Sequence, residues 1–193
     1  MLLVLHAVRL LGFAHTRAVA ERFGLPVKST EEMLRDAEAR GWVAYSSFAG
    51  TAGWSLTEAG RTENERRLAG ELTGSTKVVQ QVYDEFLPLN KILQQACTDW
   101  QLRPVDGDPL GVNDHSDAAW DAGVLDELRV LSGALHPLVK RLTEALPRFQ
   151  GYDVRFANAL EHGWVDRSDV DSCHRVWFEL HEDLLATLGL KRS

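Results

Sequence analysis

Three glycines frame the first forty residues. Gly12, Gly24 and Gly41 each follow a short stretch whose apolar residues recur with helical spacing, and each stands where a helix is expected to stop. Leu3, Ala7, Leu10 and Leu11 make the first stripe. Thr16 is the predicted N-cap of a second helix carrying Ala18, Val19, Ala20 and Phe23, and Leu25-Pro26 turns the chain after Gly24. A third helix is predicted from Val27 to Arg40, with Leu34 and Ala37 inward and Lys28, Ser29, Glu31, Glu32 and Arg35 outward. Past Gly41 the pattern changes. Trp42-Val43-Ala44-Tyr45 and Trp54-Ser55-Leu56 read as short strands, and Ser46 to Gly53 reads as a hairpin loop of small residues. Thr57 then caps a fourth helix, with Glu58 favourably placed in its first turn. Val19, Phe23, Leu34, Val43 and Leu56 are the anchors expected to hold these pieces as one core.

The predicted order is helix, helix, turn, helix, strand, loop, strand, helix. With it come Ala-Glu-Arg-Phe-Gly-Leu at 20–25, Ala-Glu-Ala-Arg-Gly-Trp-Val at 37–43 and Trp-Ser-Leu-Thr-Glu-Ala-Gly-Arg at 54–61. Together they resemble the winged helix-turn-helix bacterial transcriptional regulators of the MarR-like group, over roughly residues 1–72. The resemblance implies a DNA-binding domain at 1–74, with the third helix entering the major groove of double-stranded DNA. It assigns DNA contact to Arg17, Arg22, Lys28, Ser29, Thr30, Glu32, Arg35 and Arg40, and to Ser46 and Ser47 of the hairpin. Two features of the residues point to another use. The third helix carries Glu31 and Glu32, and the loop Ser46 to Gly53 has no Lys or Arg. A winged-helix protein-interaction module that does not bind DNA is therefore the alternative.

Beyond Gly74-Ser75 the periodicity lengthens. Val79, Val82, Phe86, Leu89, Leu93, Ala96 and Trp100 alternate in steps of three and four, as in a long helix packed lengthwise on another. Pro88 is predicted to kink or break it. Residues 103–115 are turn formers and read as a loop. Leu125, Leu128, Leu131, Leu135, Leu138, Leu142 and Leu146 mark another helical stretch that Pro137 is expected to divide, and Phe156 and Leu160 mark a shorter one. The last helix is predicted to start at Ser168-Asp169-Val170-Asp171. It shows two stripes: Val170, Cys173, Trp177, Leu180 and Leu184, beside His174, Phe178, His181, Leu185 and Leu188. No strand is predicted after about residue 57. The expected fold class is mainly α: a winged helix-turn-helix with a two-stranded wing, followed by an all-α domain at 75–193 for homodimerisation and effector binding.

Hydrophobic residues make 45% of the chain and charged residues 25%, which is the balance of a globular protein and excludes disorder as the expectation. No run of eighteen apolar residues exists, and His6 and Arg9 interrupt the apolar opening, so a cytoplasmic protein without a membrane partner is expected. Cys97 and Cys173 lack metal or disulfide spacing. The net charge of −7 is unevenly spread: residues 1–72 hold nine basic and nine acidic residues, so the excess belongs entirely to the second half. No GxSxG, phosphate loop, dinucleotide fingerprint or HExxH is present, and neither enzymatic activity, cofactor nor metal is expected. His174 and His181, seven apart, can approach a metal geometry with Asp114, His115 or Asp117, but read as helix histidines. Trp120, His174, Trp177, Phe178 and His181 are the candidates for lining a small-molecule effector pocket.

Overall fold

Helix α1, Leu2–Leu11, buries Val4, Leu5, Ala7 and Val8, a stripe wide enough to serve more than one neighbour. It opens a computed structural model that describes residues 1–48, 50–105 and 107–191. These form two compact units, Met1–Gly74 together with Glu182–Ser193, and Ser75–His181. The last dozen residues thus group with the N-terminal unit, although the sequence pattern joins them to the second half. Architecture is mainly helical, with two small antiparallel sheets.

In the first unit α1 is followed by α2, Thr16–Arg22, and α3, Val27–Ala39. The N-cap of α2 is His15, whose ring nitrogen accepts from Ala18 N–H at 3.1 Å, and not Thr16. The Thr16 hydroxyl instead accepts from the Trp54 indole N–H at 3.0 Å, which ties α2 to the strands. Gly24, at φ 62, takes the left-handed turn between α2 and α3 that a side chain would strain. Thr30, Leu34 and Ala37 are the buried stripe of α3, while Lys28, Ser29, Glu31, Glu32 and Arg35 are exposed.

Strands β1, Val43–Phe48, and β2, Thr51–Leu56, pair antiparallel with Tyr45 opposite Trp54 and Ser46 opposite Gly53. They run further than expected. Ser46, Ser47, Ala52 and Gly53 are ladder residues, not loop, because backbone pairing holds small residues that carry no apolar signal. Ala49, also expected in that loop, lies outside the described residues. Ala14 bridges the outer side of β2 through two backbone bonds with Trp54, of 3.1 and 2.8 Å. Helix α4, Glu58–Glu71, starts at Thr57, whose side chain accepts from Gly60 N–H at 3.0 Å and donates to the Gly41 carbonyl at 2.6 Å. Gly60 is needed for contact: a Cβ there would stand 1.8 Å from the Trp42 carbonyl oxygen. Val19, Leu34 and Val43 are buried in the core with Leu5, Val8 and Trp54, and Phe23 and Leu56 pack against it partly covered.

The final helix α8, Cys173–Leu188, contributes to this unit from Glu182 onward. Asp183, Leu184, Leu185, Ala186 and Thr187 are all buried. Asp183 Oδ1 meets His6 Nε2 of α1 at 2.9 Å, both side chains without exposure. Glu182 accepts from Arg9 at 3.1 Å, and Arg9 reaches Glu65 of α4 at 3.0 Å.

The second unit is built on α5, Thr76–Gln101, and α6, Ala118–Ala145, followed by a 3-10 turn at Pro147–Phe149 and α7, Tyr152–Glu161. Neither Pro88 nor Pro137 divides its helix. Both prolines are exposed, and so are Asp84 and Gly133 one turn earlier, so the carbonyls that lose a donor stay with water. The unit is also not all-α. Strands β3, Leu102–Val105, and β4, Asp108–Val112, form a hairpin within the span read as a loop, with Leu102 opposite Val112 and Val105 opposite Asp108. The hairpin signal was Asp106-Gly107 between short apolar runs. Pro104 and Pro109 obscured it, yet a two-stranded sheet leaves each strand an unpaired edge where proline is tolerated. Asp106 itself lies outside the described residues.

Helix α8 begins at Cys173, four residues or more beyond the expected start. Asp171 is held away by Arg155 at 2.8 Å, and Ser172 supplies the hydroxyl that accepts from Arg175 N–H at 3.3 Å. Trp177 lies at the centre of this unit, stacked on Phe86 at 4.9 Å and tilted against Phe156 at 5.5 Å. Among the described residues no helix is long and apolar enough to cross a membrane.

Candidate functional site

The residues assigned to DNA contact occupy α2, α3 and the hairpin of the first unit. Lys28, Ser29, Glu32 and Arg35 share the exposed side of α3, and Ser46 and Ser47 are exposed on β1. Thr30 does not belong with them: it is fully buried, because its place one turn before Leu34 puts it on the core stripe. Arg22 is half-buried, its guanidinium 4.5 Å above the Phe23 ring.

Three of the exposed cations have carboxylates four residues away on the same helix. Arg35 bonds Glu31 at 2.8 Å, Arg40 bonds Asp36 at 3.0 Å, and Arg17 stands 4.0 Å from Glu21. Arg40 also lies 5.2 Å from the Trp42 ring. Such exposed pairs are worth only about 0.3–0.5 kcal/mol each, weak enough to be exchanged for a phosphate. Lys28 has no ion-pair partner among the described residues. The surface is therefore close to neutral at rest, with cations that a polyanion can recruit.

The candidate effector residues do not converge. Trp177 is core, its indole N–H donating to Asn90 Oδ1 at 3.0 Å. His181 is half-buried beside Phe86 and Tyr83, at 5.4 and 6.2 Å between rings, while His174 and Phe178 are exposed on the outer side of α8. Trp120 lines a groove of about 280 Å³ with Asp99, Ala119, Gly123, Val124 and Glu127, and none of the four α8 residues shares it.

A second groove, about 530 Å³, runs between α6 and the start of α7. It contains His136, whose ring bonds Asp153 at 2.6 Å, and Lys140. Neither that pair nor Glu127 carries a signal in the sequence, and Asp99 reads there as a solvated helix-end acid, since each set joins residues from separate elements. Burial pushes the thiols of Cys97 and Cys173 up to about 11 and about 12, so both stay protonated and unreactive near neutral pH. Among the described residues no three His, Cys, Asp or Glu side chains gather to hold a metal ion. The chain matches no protein-family model, no curated protein and no solved structure.

Proposed function

We propose that the first unit is a winged helix-turn-helix that binds duplex DNA, and that the chain is a cytoplasmic, homodimeric transcriptional regulator whose second unit carries dimerisation and effector binding. The observation that carries this reading is the order α1-α2-α3-β1-β2-α4, with a left-handed glycine turn between α2 and an α3 whose outward side displays Lys28, Ser29, Glu32 and Arg35. In this arrangement α3 is the recognition helix and β1–β2 the wing. Lys28 supplies a phosphate contact directly, Arg17, Arg35 and Arg40 do so after releasing their carboxylates, and Ser29 and Glu32 reach base edges. One such module is neutral overall, so two half-sites read by a dimer supply the affinity.

The same carboxylate pairs favour a second reading, a winged-helix module that docks on a protein. A gel shift against the promoter of the chain's own gene separates the two. Lys28→Ala and Arg35→Ala are each expected to weaken binding and to lower the slope of log affinity against log salt by about 1. Unaltered binding by both variants, or no binding by the native chain at low salt, overturns the DNA reading.

A further inference from the structure

We propose that the groove between the end of α5 and the start of α6 is a binding site for a small organic ammonium ion. The inference rests on reading Trp120 as a ligand contact and is independent of DNA binding. The groove holds about 280 Å³ and is walled by Trp120, Val124, Asp99 and Glu127. The indole N–H of Trp120 donates to the Asp99 backbone carbonyl at 2.7 Å. With its polar edge so occupied, what the indole offers the groove is π surface, which attracts a cation.

Two carboxylates from different helices complete the charge. Asp99 accepts a neutral hydrogen bond from Gln95 at 2.8 Å, and among the described residues neither Asp99 nor Glu127 has an ion-pair partner. No Lys or Arg lines the groove. The arginines on flanking stretches are already engaged, Arg103 with Asp114 at 2.9 Å and Arg129 with Asp126. The site is thus negative and aromatic, a combination that repels anions and prefers an ammonium over a neutral molecule of the same shape.

Gly123 is the third element. Inside a helix a glycine costs about 1 kcal/mol relative to alanine. Here its backbone is ordinary helix, and a Cβ would meet no atom within 4 Å. Neither backbone conformation nor packing requires the glycine, and it stands on the lining of the groove with Trp120 and Glu127.

Choline is the probe, with its uncharged carbon isostere dimethylbutanol as control, each titrated calorimetrically into the full chain without DNA. Saturable choline binding and none by the isostere are expected. Glu127→Gln should weaken choline by about fivefold, the worth of one partly screened charge contact. Gly123→Leu fills the groove while leaving the indole and both carboxylates in place, and should abolish binding. By circular dichroism that variant should be at least as helical as the native chain, which separates blockage from misfolding. No choline binding, equal binding of the isostere, or unchanged binding by a folded Gly123→Leu chain overturns the proposal. A gel shift on the same preparation reports the DNA reading separately: DNA binding without choline binding sinks this inference alone, and the reverse sinks only the regulator.

Discussion

In the unit formed by Met1–Gly74 and Glu182–Ser193, His6 and Asp183 meet 2.9 Å apart with no exposure. In the unit Ser75–His181, Arg155 divides itself between Asp171 and Glu179, at 2.8 and 2.9 Å, and 24% of its side chain still reaches solvent. Net charge follows the same division. The first unit holds eleven basic and eleven acidic residues, and the second holds ten and seventeen, so the whole −7 lies there. In the neutral unit a buried hydrogen-bonded pair joins α1 to α8, and either partner left alone is a costly unsatisfied polar group. An acidic unit with a wet, doubly held guanidinium has redundancy, and its centre is aromatic. The His6–Asp183 pair is therefore expected to be the more sensitive to loss of one partner, and the Arg155 cluster the less so.

That contrast can be broken experimentally. The largest effect is expected from Asp183→Ala, which removes a buried acceptor of His6 and should cost about 3 kcal/mol, read from the urea midpoint of the first unit's transition. A loss below about 1 kcal/mol would mean that the pair is not dry in solution. Glu179→Ala should cost less, about 2 kcal/mol, since Asp171 remains on the guanidinium and solvent reaches it. If Glu179→Ala proves the more damaging of the two, the comparison is inverted.

The smallest effect concerns Glu63 on α4. The Arg66 guanidinium, bonded to it at 2.8 Å with Arg67 at 2.7 Å on the other side, lowers its carboxyl from 4.5 to about 2. A carboxyl depressed on folding stabilises the protein above its unfolded value, and that contribution is lost as pH falls from about 4.5 towards 2. Water screens much of it, so Glu63→Gln should cost under about 1 kcal/mol at pH 6. The difference from the native chain should shrink as pH falls below about 4.5 and vanish only below about pH 2. A gap that widens on acidification would contradict the sign.

Local structure was legible where a residue's own backbone preference decides it. Gly24 and Gly41 marked the ends of α2 and α3, and Thr57 marked the start of α4. It was misread where context decides. Thr16 looked like a cap but serves Trp54, Pro88 and Pro137 looked like breaks but face water, and the span 103–115 looked like loop although Val105 pairs with Asp108 and Arg103 with Gly111. In the candidate groove, Trp120 was visible as an unusual aromatic. Asp99 and Glu127 were not, because ordinary helical acids become a site only when two helices bring them to one indole. His6 and Asp183 left no trace in any local pattern.

The separation of that last pair bears on how the chain is made. Asp183 follows His6 by 177 positions, and the end of α8 supplies part of the core on which α1 closes. On the ribosome α1 to α4 emerge before residues 75–181, yet they lack the segment that completes them until the residues from Glu182 onward have been added. All the residues of the second unit are available earlier than that. The unit whose synthesis starts first is thus the one whose residues are complete last, and a nascent chain stalled before Asp183 lacks the partner that His6 meets in the N-terminal core.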